Sequence, residues 1–342
     1  ELSTRKAIKL NPDLADTHSN LGMILSDLGK LKDAELSTRK AIKLNPDLAR
    51  AYFTLSNLQY TNENEIWKDQ LFSENILNNK LQKDQVDIYF ARANILHKEK
   101  NHKESAKYLK LANKLKLVLK TSNANTLINK SQVLLFESGK ELIIKQDIHH
   151  TPESVFIVGM PRSGSTLVES ILSINPNIND LEEINILEES FLEQKKVNQV
   201  LTLAEEYYKK IKDLKKKSNI TTNKNLYNYQ YAGIIAKRIP NAKIIHCYRN
   251  PLDNILSIYR THFARGNEYS SCLVDSTKLY LDQDKIMTEY KNRFQSKIYD
   301  LNYESLVNNP KQEIKSLISW LGWEWNDTYL KPHLNPRSIS TA

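Results

Sequence analysis

The sequence predicts a two-part protein: an all-α solenoid followed by an α/β domain whose parallel sheet is flanked by helices. Three observations carry that reading. The stretch ELSTRKAIKLNPDLA occurs at 1–15 and again at 35–49, an offset of 34 residues. From residue 154 onward, short continuous apolar runs appear, first SVFIVG (154–159) and then NAKIIHCY (241–248). Between and beyond those runs lie long stretches of helical periodicity, the alternation expected of a parallel sheet covered on both faces.

An offset of 34 residues is the period of the tetratricopeptide repeat, a helix pair that completes its core by stacking on its neighbours. The segment from Ala15 fits that template. Leu21-Gly22 allows two helices to approach closely, Ala34 and Ala41 supply small faces, and Pro46 ends the second helix, while His18 stands where tryptophan is usual. A weaker unit begins near Ala49, with Lys68 in a small-residue position. A third, over 89–116, recovers the pattern through Ala93, Ala106 and Ala112. Residues 1–14 match only the second helix of a unit, so the array is expected to start further upstream. The expected boundaries are 1–120 for the repeats, 121–151 for a helical linker ending in His149-His150, and 152–342 for the α/β domain. The repeats offer a concave face suited to a protein or peptide partner; a spacer role is the alternative.

In the α/β domain, SVFIVG and NAKIIHCY read as buried strands, and SKIYDLNYE (296–304) as a third. Helical patterns cover 166–174, 184–195, 198–217, 227–238, 252–263, 275–294 and 310–321. The first strand runs into GMPRSGST (159–166), which has the spacing of a phosphate-binding loop. Ser165 occupies the slot of the usual lysine, and the nearby cation is Arg162, earlier in the turn. Backbone N–H groups over Ser163, Gly164, Ser165 and Thr166, with the dipole of the following helix, form a nest for an anion. A magnesium-dependent NTPase would also need an acidic residue at a strand end, and the second strand ends instead in Tyr248-Arg249. Asn250 is a good N-cap and Pro251 fits the first helical position, so Arg249 lies beside a helix N-terminus with Ser257 two turns on. An arginine with a hydroxyl is a phosphate-binding pair.

Taken together, FIVGMPRSGSTL and YRNPLDNILSIYR resemble the nucleotide-binding stretches of sulfotransferases, in particular of proteins that join tetratricopeptide repeats to a domain similar to protein-tyrosine sulfotransferases. The resemblance covers essentially the whole chain. It implies a P-loop-like sulfotransferase fold and use of 3′-phosphoadenosine 5′-phosphosulfate with no metal required, releasing 3′,5′-adenosine bisphosphate. It also implies residue roles. Arg162 through Thr166 would bind the 5′-phosphosulfate, Arg249 and Ser257 the 3′-phosphate, and Tyr303 the nucleotide. Lys224, in TNKNLYNY, would approach the transferring sulfonate, with Asn223 where aspartate is frequent. In LEEIN, Glu183 falls at the catalytic carboxylate, and Glu182 replaces the glycine that usually precedes it, so either carboxylate is a candidate base. SISTA (338–342) resembles the start of a further segment near the donor. The acceptor would be a hydroxyl, tyrosine or otherwise. A repeat scaffold with a non-catalytic nucleotide domain and a P-loop kinase or NTPase are the alternatives.

Composition adds bounds. Lysine and arginine number 49 against 40 acidic residues, and part of the excess lies in KKIKDLKKK (209–217), which reads as a solvated helix face. With no zinc-finger spacing and no base-reading helix, nucleic acid is not an expected partner. No run approaches the roughly eighteen apolar residues of a membrane helix. Two cysteines are too few for a disulfide framework and favour a reducing, cytoplasmic setting.

Overall fold

The structure, a computed structural model, describes residues 1–58, 66–140, 152–196, 201–212, 214 and 219–334. The chain divides into two compact units, one over 1–123 joined by 259–272, the other over 124–258 and 273–336. His149-His150, SISTA and most of LKKK (214–217) lie outside the described residues.

The first unit stacks α1 (Leu2–Leu10), α2 (Ala15–Asp27), α3 (Leu31–Leu44), α4 (Ala49–Asn57), α5 (Ile66–Phe72), α6 (Gln82–Lys98) and α7 (His102–Leu119). Small residues set the spacing of the α2–α3 pair. A Cβ on Gly22 would come within 2.2 Å of Thr38 Oγ1 and 3.2 Å of Ala34 O, so only glycine lets these helices close. Gly29, at φ +69°, ends α2 in the left-handed turn that caps helices, and Lys30 N reaches back to Leu25 O at 2.9 Å. Leu21, Leu25, Ala34, Ala41, Ile42, Tyr52 and Leu55 form one continuous core with Trp67, Leu71 and Ile88.

Within this unit, residues 259–272 lie along α6 and α7 and are held largely by main-chain atoms. Asn113 Nδ2 donates to Tyr259 O (3.0 Å), Lys116 Nζ to Phe263 O (3.2 Å), and Asn123 Nδ2 to Gly266 O (3.1 Å). His262 stacks on Phe90 at 4.6 Å and meets Asp87 Oδ1 through Nε2 at 2.8 Å. Burial pushes the Lys116 ammonium down to about 8, against the opposing pull of Glu268 and Asp87.

The second unit opens with α8 (Ala124–Gly139), the helix expected over the linker, which here packs inside the unit against α14. There follow β1 (Glu153–Gly159), α9 (Ser165–Leu172), β2 (Ile178–Asp180), α10 (Ile186–Gln194), α11 (Leu203–Lys212), β3 (Ile220–Asn223), α12 (Ala232–Arg238), β4 (Ala242–Tyr248) and α13 (Pro251–Arg260). The unit closes with α14 (Leu273–Arg293), β5 (Ile298–Asn302), α15 (Tyr303–Asn308) and α16 (Pro310–Leu321). The strands form one parallel sheet in the order β2-β3-β1-β4-β5.

Strand alternation divides the core between two faces. Phe156, Val158 and Ile244 face a layer containing Leu187, Tyr207, Ile235 and Met287, whereas Val155, Ile157, Ile245 and Cys247 face Val168, Ile171, Leu317 and Ile318. Each such fully buried aliphatic or aromatic side chain contributes about 1.5–3 kcal/mol. The three apolar runs are β1, β4 and β5. The polar strands β2 (IND) and β3 (ITTN) were not foreseen, because side-chain bonds rather than apolar bulk hold them. Thr221 Oγ1 meets Ser154 Oγ at 3.2 Å, and Thr222 Oγ1 donates to Asp180 Oδ1 at 3.3 Å. Strand order reverses at β1, which opens a crevice at the carboxyl ends of β3, β1 and β4.

Candidate active site

Each residue singled out from the sequence, Ser257 apart, follows closely on the end of a strand. Arg162 to Thr166 follow β1, Glu182 and Glu183 follow β2, Lys224 follows β3, Arg249 follows β4 and Tyr303 follows β5. Five separate stretches of chain thus deliver their side chains to the edge where a parallel sheet collects its ligands.

The loop after β1 is built around two glycines. Gly159 has φ +144°, and a Cβ there would lie 2.2 Å from Cys247 O on the neighbouring strand. Gly164, at φ +93°, caps α9, and its Cβ would lie 2.4 Å from the Tyr303 ring. Arg162 itself takes a left-handed φ of 68°, a conformation with a steric cost for a non-glycine residue. Asn254 of α13, fully buried, donates through Nδ2 to Pro161 O at 3.0 Å and so fixes the turn. Ser163 is buried and its Oγ has no hydrogen-bond partner. An orphaned hydroxyl in a loop that leads into a helix N-terminus fits an anion that completes it. Ser165 is buried and Thr166 half-buried in the first turn of α9.

The two arginines sense one another. Desolvation first, and then the charge of Arg249, lower the pKa of Arg162, although a guanidinium stays charged throughout the working range. Arg162 Nε donates to Ser257 Oγ at 3.3 Å, which sets this hydroxyl beside Arg162. Arg249 lies over the Tyr303 ring at 4.8 Å, with its Nε 3.7 Å from Glu304 Oε1 and without a hydrogen bond of its own. Tyr280 anchors the same turn by donating its hydroxyl to Arg249 O at 2.9 Å. Two guanidiniums brought close in one concavity call for an anion between them.

Lys224 is buried, and its Nζ lies 2.7 Å from Glu183 Oε1 and 3.2 Å from Glu169 Oε2. Burial works against the ammonium, but the charges and hydrogen bonds of Glu169 and Glu183 outweigh it and raise the lysine's pKa. The neighbouring carboxylates of LEEIN are separated by the backbone. Glu182 takes φ +59°, the left-handed region where the resembled family carries glycine, and uses its main chain: its N donates to Asp180 Oδ1 (2.8 Å) and its O accepts from Lys224 N (3.0 Å). That turn sends the Glu183 side chain to the lysine. Asn223, where the family often has aspartate, supports the turn by accepting from Asn228 Nδ2 at 2.9 Å.

Glu169, Asn254 and Glu304 were not foreseen. Glu169 had a signal: one acid inside the otherwise apolar turn LVESIL, four residues beyond Ser165, on the face that α9 turns inward. Tyr229 and Tyr231 are core, and Tyr227 packs against the same cluster. Trp320 packs on Tyr299 at 5.3 Å, consistent with a packing role for SWLGWEW. Cys247 is buried in the sheet, and burial pushes its thiol up to about 12, which removes it as a nucleophile. Among the described residues, no helix is long and apolar enough to cross a membrane, and no group of three or more His, Cys, Asp or Glu side chains could hold a metal ion.

Comparison with known proteins gives the following. A family model described as Sulfotransferase family matches residues 152–202 and 187–327, more than half of the chain. The Tetratricopeptide repeat model matches 15–48 and 86–117. An uncharacterized protein of Aquifex aeolicus (strain VF5) is 28% identical over 219 residues, covering 57% of this chain and 28% of that protein. Protein-tyrosine sulfotransferase 2 of Gallus gallus is 25% identical over 198 residues, covering 52% of this chain and 53% of that one. The chain thus spans about half or less of these curated relatives. Among solved structures, the sulfotransferase domain from the Synechococcus PCC 7002 olefin synthase aligns with a TM-score of 0.43 at 17% identity, over 58% of this chain and 83% of that domain.

Proposed function

The chain belongs to the sulfotransferase family, and from that premise we propose that it moves a sulfonate group from 3′-phosphoadenosine 5′-phosphosulfate to a hydroxyl of a polypeptide acceptor, tyrosine in the first instance. The observation that carries this reading is the convergence of Arg162, Lys224 and Arg249 on the crevice at the end of β1, each delivered by a different strand. The donor, when bound, supplies a sulfonate whose leaving group is the nucleotide's 5′-phosphate.

In this reading Arg249, supported by Tyr303 and Tyr280, binds the 3′-phosphate. Ser257 serves the same pocket and ties it to Arg162. Arg162, Ser163 and the N–H groups of Gly164, Ser165 and Thr166 hold the 5′ end; the unpartnered Ser163 Oγ and the glycine-only backbone at 159 and 164 fit such an anion. Lys224 places positive charge where negative charge develops, which in a dry site is the largest single contribution a side chain makes. Glu183, whose side chain is 43% exposed, is the carboxylate open to an acceptor and takes its hydroxyl proton. In the same reading Glu182 shapes the turn through its main chain and is assigned no proton. The acceptor is assigned to polypeptides on two grounds. Tetratricopeptide repeats present faces to proteins, and the relative from Gallus gallus is named for protein tyrosine.

Thermal shift tests the nucleotide reading first: 3′,5′-adenosine bisphosphate without magnesium should raise the melting temperature, because a ligand that binds only the folded state stabilises it. Stabilisation by Mg-ATP alone would favour a kinase or NTPase and sink the assignment. Mass spectrometry of tyrosine-containing peptides incubated with the donor then reads the transfer itself.

A further inference from the structure

Lys224 is shared by two carboxylates that differ in every respect except type. Glu183 comes from the loop after β2 and its side chain is 43% exposed; Glu169 comes from α9, behind the anion loop, and its side chain is 5% exposed. The lysine between them is 3% exposed. Glu169 Oε2 lies 3.2 Å from the ammonium, and its Oε1 is buried with no hydrogen-bond partner. A buried carboxylate with so little hydrogen bonding is costly to keep, and its compensation comes from Lys224.

We propose that Glu169 is a positioning residue that holds the Lys224 ammonium from the buried side and supplies its counter-charge while Glu183 takes up the acceptor's proton. The proposal rests on the reading of Lys224 and Glu183 given above. Its physical basis is charge balance. Before proton transfer, one ammonium faces two carboxylates. After the proton has moved from the acceptor hydroxyl to Glu183, the ammonium still faces one. Without Glu169, the same transfer would strand Lys224 in a buried site with no opposite charge, and Glu183 would be a weaker base throughout because the lysine would pair with it alone.

The arrangement also gives a pH dependence. Burial first, then Asp180 and Glu183, push the Glu169 carboxyl up to about 7, against the pull of Lys224. The charged groups facing it are therefore Lys224 after β3, Asp180 at the end of β2, and Glu183 in the loop that follows. Below about pH 7 Glu169 is neutral and offers no counter-charge, so turnover should rise as pH passes through that value.

Kinetics and a titration of the full chain test this together. Glu169→Gln should lower kcat by about tenfold at pH 8, the equivalent of one pKa unit of lost compensation. The KM for the donor and the Kd for 3′,5′-adenosine bisphosphate should stay within about twofold, and the rise through pH 7 should flatten. Glu169→Asp should recover part of both kcat and the pH dependence, which a merely packing role would not. A ¹³C-carboxyl NMR titration reads the group with no turnover. The wild type should show one carboxyl titrating near pH 7, absent in Glu169→Gln and shifted higher in Lys224→Met. A wild-type pH profile in Glu169→Gln overturns the proposal, and so does a spectrum with no carboxyl titrating in that range. If Glu169→Gln fails to fold, the wild-type and Lys224→Met titrations still decide. A protein that shows the titration and binds the bisphosphate but transfers nothing would count against the transferase reading, while leaving the grip of Glu169 on Lys224 in place.

Discussion

Residues 1–15 and 35–49 are the same fifteen amino acids in two surroundings. In α3, which packs against both α2 and α4, Thr38, Ala41 and Ile42 are buried. In α1, which packs against α2, the matching Thr4, Ala7 and Ile8 are only partly buried, and the helix has no buried residue. Sequence and helix propensity are identical, so neighbours alone make the difference. The same holds in the sheet unit, where adjacent Glu182 and Glu183, and Arg162 and Arg249, meet unlike surroundings because of where the backbone delivers them.

The largest expected effect sharpens the contrast between twin carboxylates. Glu183→Gln should lower kcat by about 10²–10⁴-fold, the usual contribution of a positioned base, whereas Glu182→Gln should stay within about twofold. Equal losses in both would break the comparison. The twin isoleucines come next. Ile42→Ala should cost about 2–5 kcal/mol in urea unfolding of the repeat unit, and Ile8→Ala less than about 1 kcal/mol.

Among arginines, Arg249→Ala should weaken binding of 3′,5′-adenosine bisphosphate by about 1.5–3 kcal/mol in calorimetry. Arg265→Ala, at an exposed turn, should change it by less than about 0.5 kcal/mol. Unchanged affinity at Arg249 would remove the 3′-phosphate assignment.

The smallest effect is on stability. The folded-state pKa of Glu169, about 7, lies above the ordinary 4.5. Between those values the folded state binds the extra proton, so this group's contribution to stability falls as pH rises through the window. Relative to the wild type, Glu169→Gln should therefore gain a few degrees in melting temperature on going from pH 5 to pH 8. An unchanged difference between the two proteins would place the folded pKa near its ordinary value.

How much of this was legible follows the same divide. The repeats could be read because their period is written into the chain, with Gly22 and Ala34 at the close contact. Strands β1 and β4 could be read because burial on both faces demands continuous apolar runs, and β5 from a less continuous run in which Ile298 and Leu301 are buried. Strands β2 and β3 could not, since Thr221, Thr222 and Asp180 hold them through side-chain bonds. Loop and strand-end spacings gave Arg162 and Arg249, while Lys224 came only from the resemblance of TNKNLYNY to a family segment. Spacing treats Glu182 and Glu183 alike, because it does not show the left-handed φ at Glu182 or the contact of Glu183 with Lys224. Nor could it show Glu169 beside Lys224, since the two residues meet only when α9 and β3 pack. Nor could position along α13 show that Arg162 reaches Ser257, since it gives the face that the serine occupies and not the side chains that cross it.

The two thiols offer a practical handle. Cys247 is sealed inside the sheet with its thiol pushed up to about 12, while Cys272 is only half-buried. A maleimide should therefore modify Cys272 alone in the native protein and reach Cys247 only when the sheet opens, so the rate of the second alkylation becomes a clock for global unfolding. A dye placed on Cys272 would sit at the end of the segment clasped by α7, and its anisotropy would report release of that clasp.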